Sequence, residues 1–192
     1  MTRVKNIQEE IHYEGFASIR EVTFDYQDTQ GDWHHIKREV YDRGNGASAL
    51  LYNRERNTVL LTEQFRMPSF LNGNPSGMLI EACAGKQDET DPKKTILREI
   101  EEELGYKLPA VEKVMEVYMT PGGSTEIIHL YLGEYSDECK VNDGGGLDCE
   151  QEDIRVVEYA FAKALSLIKT GEIKDAKTVI LLQHLQLSGI MD

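Results

Sequence analysis

The chain has 192 residues, 40% of them hydrophobic and 29% charged, with a formal net charge of −13. That length suits one well-packed domain, or one domain with a small appendage. No apolar run approaches the ~20 residues needed to span a bilayer, and the acidic balance excludes a nucleic-acid duplex as main partner, since phosphates demand clustered Lys and Arg.

The opening Met-Thr-Arg-Val-Lys-Asn is polar and lacks the apolar stretch of a secretory signal, so a cytoplasmic protein is expected. Residues 16–27 and 33–43 read as two extended segments joined by the polar turn 28–32, a hairpin. Gly44-Asn45-Gly46 then punctuates the chain, a natural hinge after a first subdomain at 1–43, with a second domain at 44–192. Strands are expected at 47–52 and 58–66, a loop at 68–77 and a short buried strand at 78–84. A helix over about 92–104 has Asp91 as N-cap, Pro92 in its first turn and Gly105 as its stop. Strands follow at about 111–119 and 125–135, then a long acidic, glycine-rich loop at 136–153. A last strand at 154–159 precedes helices at about 161–169 and 175–188. Mixed strands with few, dispersed helices indicate an α/β (α+β) layered fold. Cys83, Cys139 and Cys149 form no C-x-x-C pair and read as free thiols in a reducing compartment.

The informative stretch runs from Arg98 to Tyr106. At about 100° per residue, Glu99, Glu102 and Glu103 fall on one helical face, and Ile96, Leu97, Ile100 and Leu104 form the adjoining apolar stripe. Clustered carboxylates repel one another, and a hard cation with oxygen ligands relieves the repulsion. Mg²⁺ is the natural candidate, although ligand type alone leaves calcium and manganese open. A solvated acidic face is the plainer alternative from charge alone. A second concentration of acid between Asp143 and Asp153 also suits divalent cations, which would let an anionic small molecule approach an acidic protein.

The run Arg98, Glu99, Ile100, Glu102, Glu103, Gly105 resembles the second half of the Nudix box, and Gly85 fits its opening glycine. The loop between Gly85 and Arg98 is one residue shorter than the standard spacing, and Asp91 or Glu89 stands where the mid-loop glutamate is expected. Further motifs are similar to one branch of that superfamily, the GDP-mannose pyrophosphatases related to ADP-ribose pyrophosphatases. They are Lys37–Ala47, Gln64-Phe65-Arg66, Leu79–Gly85, Tyr118–Gly123 with Thr125-Glu126, Gly144–Gly146 and Lys169–Ile173. The short box is typical of this branch.

The resemblance implies an α/β/α sandwich with a mixed sheet and an N-terminal antiparallel β-subdomain. It implies a homodimer in which N-terminal residues reach the partner's site. The implied reaction is Mg²⁺-dependent hydrolysis of a nucleotide-sugar, GDP-mannose giving GMP and mannose 1-phosphate, with Mn²⁺ able to substitute. Metal ligands would be the Ala84 carbonyl, Glu99, Glu103 and Glu152, with catalytic work shared by Glu102, Glu103 and Glu152. Glu150 is the alternative to Glu152. Substrate contacts would come from Phe16, Lys37, Arg38, Glu39, Arg66, Ala84, Gly85, Lys86, Glu103, Glu126, Gln151 and Lys177. ADP-ribose hydrolysis and a non-catalytic nucleotide sensor remain the competing readings; neither a nucleic acid nor a membrane is expected as partner.

Overall fold

Three long antiparallel strands open the computed structural model, which describes residues 2–147 and 152–191. They are β1 (Val4–Glu14), β2 (Ser18–Gln27) and β3 (Trp33–Asp42), in the order β1-β2-β3. The β2–β3 hairpin holds continuous register from Ser18 opposite Asp42 to Gln27 opposite Trp33. At its tip Asp28 accepts from the Gln30 and Asp32 amides at 2.9 and 3.0 Å, an Asx-type closure of the turn. Strand β1 was not anticipated. Its apolar Val4, Ile7 and Ile11 have helical spacing, because the pairing with β2 shifts register between Lys5 and Gln8 and again between Ile11 and Tyr13. Such bulges break the period of two on which strand recognition depends.

The unit built on this sheet is Met1–Asn45 together with Tyr118–Ile127. The later segment is stitched to β3: the Tyr41 amide donates to the Gly123 carbonyl at 2.8 Å, and the Thr125 amide to the Tyr41 carbonyl at 3.1 Å.

The second unit, Gly46–Val117 with Ile128–Asp192, holds a seven-stranded mixed sheet. Its strands are β4 (Gly46–Asn53), β5 (Thr58–Phe65), β6 (Met78–Glu81), β7 (Cys83–Lys86), β8 (Glu112–Tyr118), β9 (Ile127–Glu134) and β10 (Arg155–Ala160). The main order is β10-β5-β4-β9-β8, with β4 parallel to β9 and antiparallel to β5. The segment expected as one strand at 78–84 is two. β6 pairs with β5 and β7 with β4, and Ala82 between them gives its amide to Thr178 Oγ1 at 2.6 Å. The switch of partner turns Cys83, Ala84 and Gly85 onto a different stretch of sheet from Glu81.

Among the described residues, four α-helices belong to this unit: α1 (Met67–Leu71), α2 (Pro92–Glu99), α3 (Phe161–Thr170) and α4 (Ala176–Leu187). Helix α1 begins one residue before the expected loop 68–77 and takes up its first four positions. Asp91 caps α2, accepting from the Lys93 amide at 3.0 Å, and the helix runs into a wider π-helical turn, Ile100–Leu104, that ends on Gly105 at φ 78°. Leu51, Leu60, Ile96, Ile100 and Leu104 are buried together between sheet and helix. Full burial of each such side chain contributes about 1.5–3 kcal/mol, so this layer fixes the carboxylates that sit on the same turns. In α4 the inward face is Thr178, Leu181, Leu182 and Leu185, whereas Leu187 is exposed.

Candidate active site

A regular helix would carry Glu99, Glu102 and Glu103 on one face. The π-helical turn changes that, because an extra residue per turn rotates the side chains beyond it. Glu103 turns inward beside Ile100 and Leu104 and is 2% exposed, while Glu99 and Glu102 stay half-buried. Arg98 holds the other two: its guanidinium lies 3.0 Å from Glu99 and 2.8 Å from Glu102. The same group reaches Asp88 at 2.9 Å. The loop acid that meets the helix is therefore Asp88, not Asp91 or Glu89; Asp91 is committed to capping.

Glu103 faces β7. The Ala84 amide donates to its Oε2 at 3.3 Å, and the Cys83 thiol, fully buried, also donates to it. Burial pushes the Glu103 carboxyl up to about 8; the Cys83 hydrogen bond opposes this, and the charges of Glu99 and Glu152 add to it. Glu99 lies flat against Gly85, where any Cβ would overlap its carboxylate. That contact is a physical reason for glycine there.

The acidic loop returns to the same place. Gly145 and Gly146 donate their amides to the Glu103 and Glu102 carbonyls at 2.9 and 3.2 Å, satisfying carbonyls that the helix end leaves open. Gly146, at φ 83°, leaves room for the Glu152 carboxylate, which accepts from the Leu147 amide at 3.1 Å. The charges of Glu99 and Glu152 thus both reach Glu103, which also takes the Ala84 amide. Gln151, expected to touch substrate, and Glu150, the alternative to Glu152, lie outside the described residues.

Beside this cluster, Arg66 and Lys177 meet on Glu81, at 2.7 and 3.3 Å. Arg66 also feels the charge of Glu103. Burial would raise the Glu81 carboxyl, but Lys177 and Arg66 outweigh it and hold the group below its ordinary value. In the sequence Glu81 appears only within the Leu79–Gly85 motif, as a lone acid in the apolar run 78–84, and no role is expected of it. Lys86 is exposed at the end of β7.

The remaining candidates belong to the three-stranded unit. Lys37, Arg38 and Glu39 are exposed on β3, with Lys37 Nζ 2.6 Å from Glu21. Phe16 is 70% exposed, with the Arg43 guanidinium 5.6 Å from its ring centre. Arg43 in turn pairs with Glu126 at 3.3 Å. A Phe16–Arg43–Glu126 row results, in which Arg43 was not foreseen.

The chain matches the NUDIX domain family over residues 42–181. The chain belongs to the Nudix hydrolase family. Residues 3–41 match a second family, described as the GDP-mannose pyrophosphatase NudK N-terminal domain. A GDP-mannose pyrophosphatase of Cronobacter sakazakii is 52% identical over 189 residues, covering 98% of each chain. One of Escherichia coli K12 is 49% identical over 186 residues, 97% of this chain and 96% of its own.

In this Nudix domain the donor set fits a divalent cation. Glu103 is a buried acid whose ionisation is suppressed by burial and by the charges of Glu99 and Glu152, and a set of oxygen ligands of this kind suits a hard ion. Among the described residues, the group of potential ligands whose atoms all lie within 4.8 Å of one another is Glu10, His12 and Glu21, not the glutamates around Glu103. That group is exposed on the β1–β2 surface, and Lys37 already compensates Glu21. A cavity of about 800 Å³ is lined by Leu97, Arg98, Glu101, Glu102, Lys107 and Leu147 among others, but not by Glu99 or Glu103.

Proposed function

We propose that the protein hydrolyses the diphosphate of a nucleotide-sugar, converting GDP-mannose to GMP and mannose 1-phosphate. The observation that carries this reading is the buried Glu103 on the Ala84 amide, with Glu99 against Gly85 and the charge of Glu152 acting on it, within a chain about half identical to GDP-mannose pyrophosphatases along its length.

Hydrolysis adds water to one phosphorus, breaks its bond to the bridging oxygen, and releases the other phosphate with the bonding pair. Glu152, exposed enough to meet solvent and held by the Leu147 amide, accepts the proton of the attacking water. Glu102 and Arg98 keep Glu99 in place. Arg66 and Lys177 meet the phosphoryl oxygens, with the Gly85 and Lys86 backbone alongside. The Ala84 carbonyl, Glu99, Glu103 and Glu152 would hold Mg²⁺, or Mn²⁺ in its place. When bound, the ion neutralises charge on the phosphoryl oxygens and lowers the pKa of water.

Phe16, Lys37, Arg38, Glu39 and Glu126 serve nucleotide recognition, with Phe16 offering a ring face to the base. We assign them to a homodimer in which these residues act at the partner's site. Ile7, Ile11, Tyr13 and Trp33, all large and exposed on the same sheet, support an interface there. The domain division is the N-terminal subdomain 1–43 and the hydrolase domain 44–192. A cytoplasmic setting agrees with the free thiols of Cys83 and Cys139 and with the lack of any described helix long and apolar enough to cross a membrane.

The test is incubation with Mg²⁺ and GDP-mannose, ADP-ribose or GDP-glucose, with products separated by chromatography. Equimolar GMP and mannose 1-phosphate are expected from GDP-mannose. Faster turnover of ADP-ribose would transfer the assignment to that substrate, and turnover of none would leave a nucleotide sensor.

A further inference from the structure

Glu81 ends β6 with 3% of its surface exposed. A carboxylate so placed stays charged only if cations meet it inside the protein. Two do. Arg66 brings Nε and Nη2 onto the Glu81 carboxylate at 3.2 and 2.7 Å, a forked approach, and Lys177 Nζ stands 3.3 Å away.

The second cation is pinned from its other side as well. Asp175 accepts from Lys177 Nζ at 2.9 Å and caps α4, taking the Thr178 amide at 3.0 Å and the Thr178 hydroxyl at 2.6 Å. That hydroxyl oxygen accepts the amide of Ala82 at 2.6 Å, which closes the network on the residue next to Glu81. The strand switch at Ala82 and the start of α4 are therefore tied to the same pair of cations.

Buried ion pairs are poor devices for stability alone, since well-packed apolar groups do as well. Here the arrangement has a different use. Arg66 remains 40% exposed, and its Nη1 edge is not part of the fork onto Glu81. Its side chain has lost its rotamer freedom on folding and so need not lose it on binding.

We infer that Glu81 is a positioning residue, which holds Arg66 and Lys177 side by side so that the substrate diphosphate meets cations already in place. This role rests on the protein being a diphosphate hydrolase. Glu81 touches no substrate and acts through Arg66 and Lys177.

The deciding experiment is a double-mutant cycle with Glu81→Gln and Arg66→Lys, read by steady-state kinetics on GDP-mannose. One lost charge-assisted fork predicts a KM raised roughly ten- to hundred-fold by either change, with kcat altered far less. The double variant should be no worse than Arg66→Lys alone, because both changes remove one interaction. An additive loss, an unchanged KM, or a lower KM from the unmasked positive charge would overturn the inference. Two readouts do not need turnover. Calorimetric affinity for inorganic pyrophosphate with Mg²⁺ in excess should fall in the same proportion, and the Arg66 Nε–H resonance, sharp in the parent protein, should merge with solvent-exchanging arginines in Glu81→Gln. If the parent protein cleaves no GDP-mannose, the proposed function fails while these two measurements still judge Glu81. Should Glu81→Gln not fold, Glu81→Asp enters the same cycle: it keeps the charge but shortens the reach, and is expected to show the KM rise in milder form.

Discussion

Glu103→Gln keeps the shape of the most buried acid in the site and removes its charge, so its consequences separate by pH. The Glu103 carboxyl sits at about 8 in the folded protein against an ordinary value of 4.5. An acid raised on folding contributes stability that is fully present below its unfolded value and lost as pH rises through the folded one. At about 1.36 kcal/mol per unit, that span corresponds to about 5 kcal/mol, and relaxation with water entry lowers it to a few. Thermal melts in chelator should therefore show the parent protein losing on the order of 5–10 °C between about pH 4.5 and about pH 9, at ~2–4 °C per kcal/mol. Glu103→Gln should show no such decline from this site, so that the two proteins coincide at the acidic end and the variant is the more stable at the alkaline end. Saturating Mg²⁺ should restore the parent protein at high pH, since the ion takes the place of the proton. It should leave the variant unmoved, and turnover should fall by roughly 10²–10³-fold. Parallel melting profiles, or equal stabilisation of both proteins by Mg²⁺, would refute the assignment of Glu103 as a buried, cation-seeking carboxylate.

Gly85→Ala places a methyl group where the Glu99 carboxylate now lies, so the Mg²⁺ concentration for half-maximal activity should rise roughly tenfold with little change in melting temperature; an unchanged Mg²⁺ requirement would separate Glu99 from metal binding. Tyr135→Phe leaves the edge-on contact with Tyr106 at 5.2 Å but removes hydroxyl bonds to Thr58 at 2.8 Å and Glu158 at 2.9 Å. A cost of about 1–3 kcal/mol should appear as a lower urea midpoint at constant slope, and an unmoved midpoint would show that solvent replaces those bonds.

What could be read from the sequence was whatever had a local cause. The hairpin around Asp28, the cap at Asp91 and the stop at Gly105 are chain-neighbour effects, and each stands where the residues put it. Strand β1 was illegible because two register shifts scramble the alternation that would have marked it. Asp88 was illegible for a different reason: three acids lie within four residues of that loop, and only the folded path shows that Asp91 is used by the Lys93 amide while Asp88 faces Arg98. Glu81 depends on partners 15 and 96 residues away, at Arg66 and Lys177, which no local pattern connects.

The carboxylate helix shows how much chemistry can rest on a feature that periodicity does not carry. A spacing of about 3.6 residues per turn groups Glu99, Glu102 and Glu103 as equals on one face. The π-helical turn at Ile100–Leu104 makes them unequal: Glu103 enters the protein beside Cys83 and Ala84, Glu102 stays with Arg98, and Glu99 rests on Gly85. Three equivalent surface carboxylates would bind a cation weakly and without direction, since water screens each of them. With Glu103 buried and under the charge of Glu99 and Glu152, a cation held there would complete the proposed site, and its loss should be felt in folding as well as in turnover.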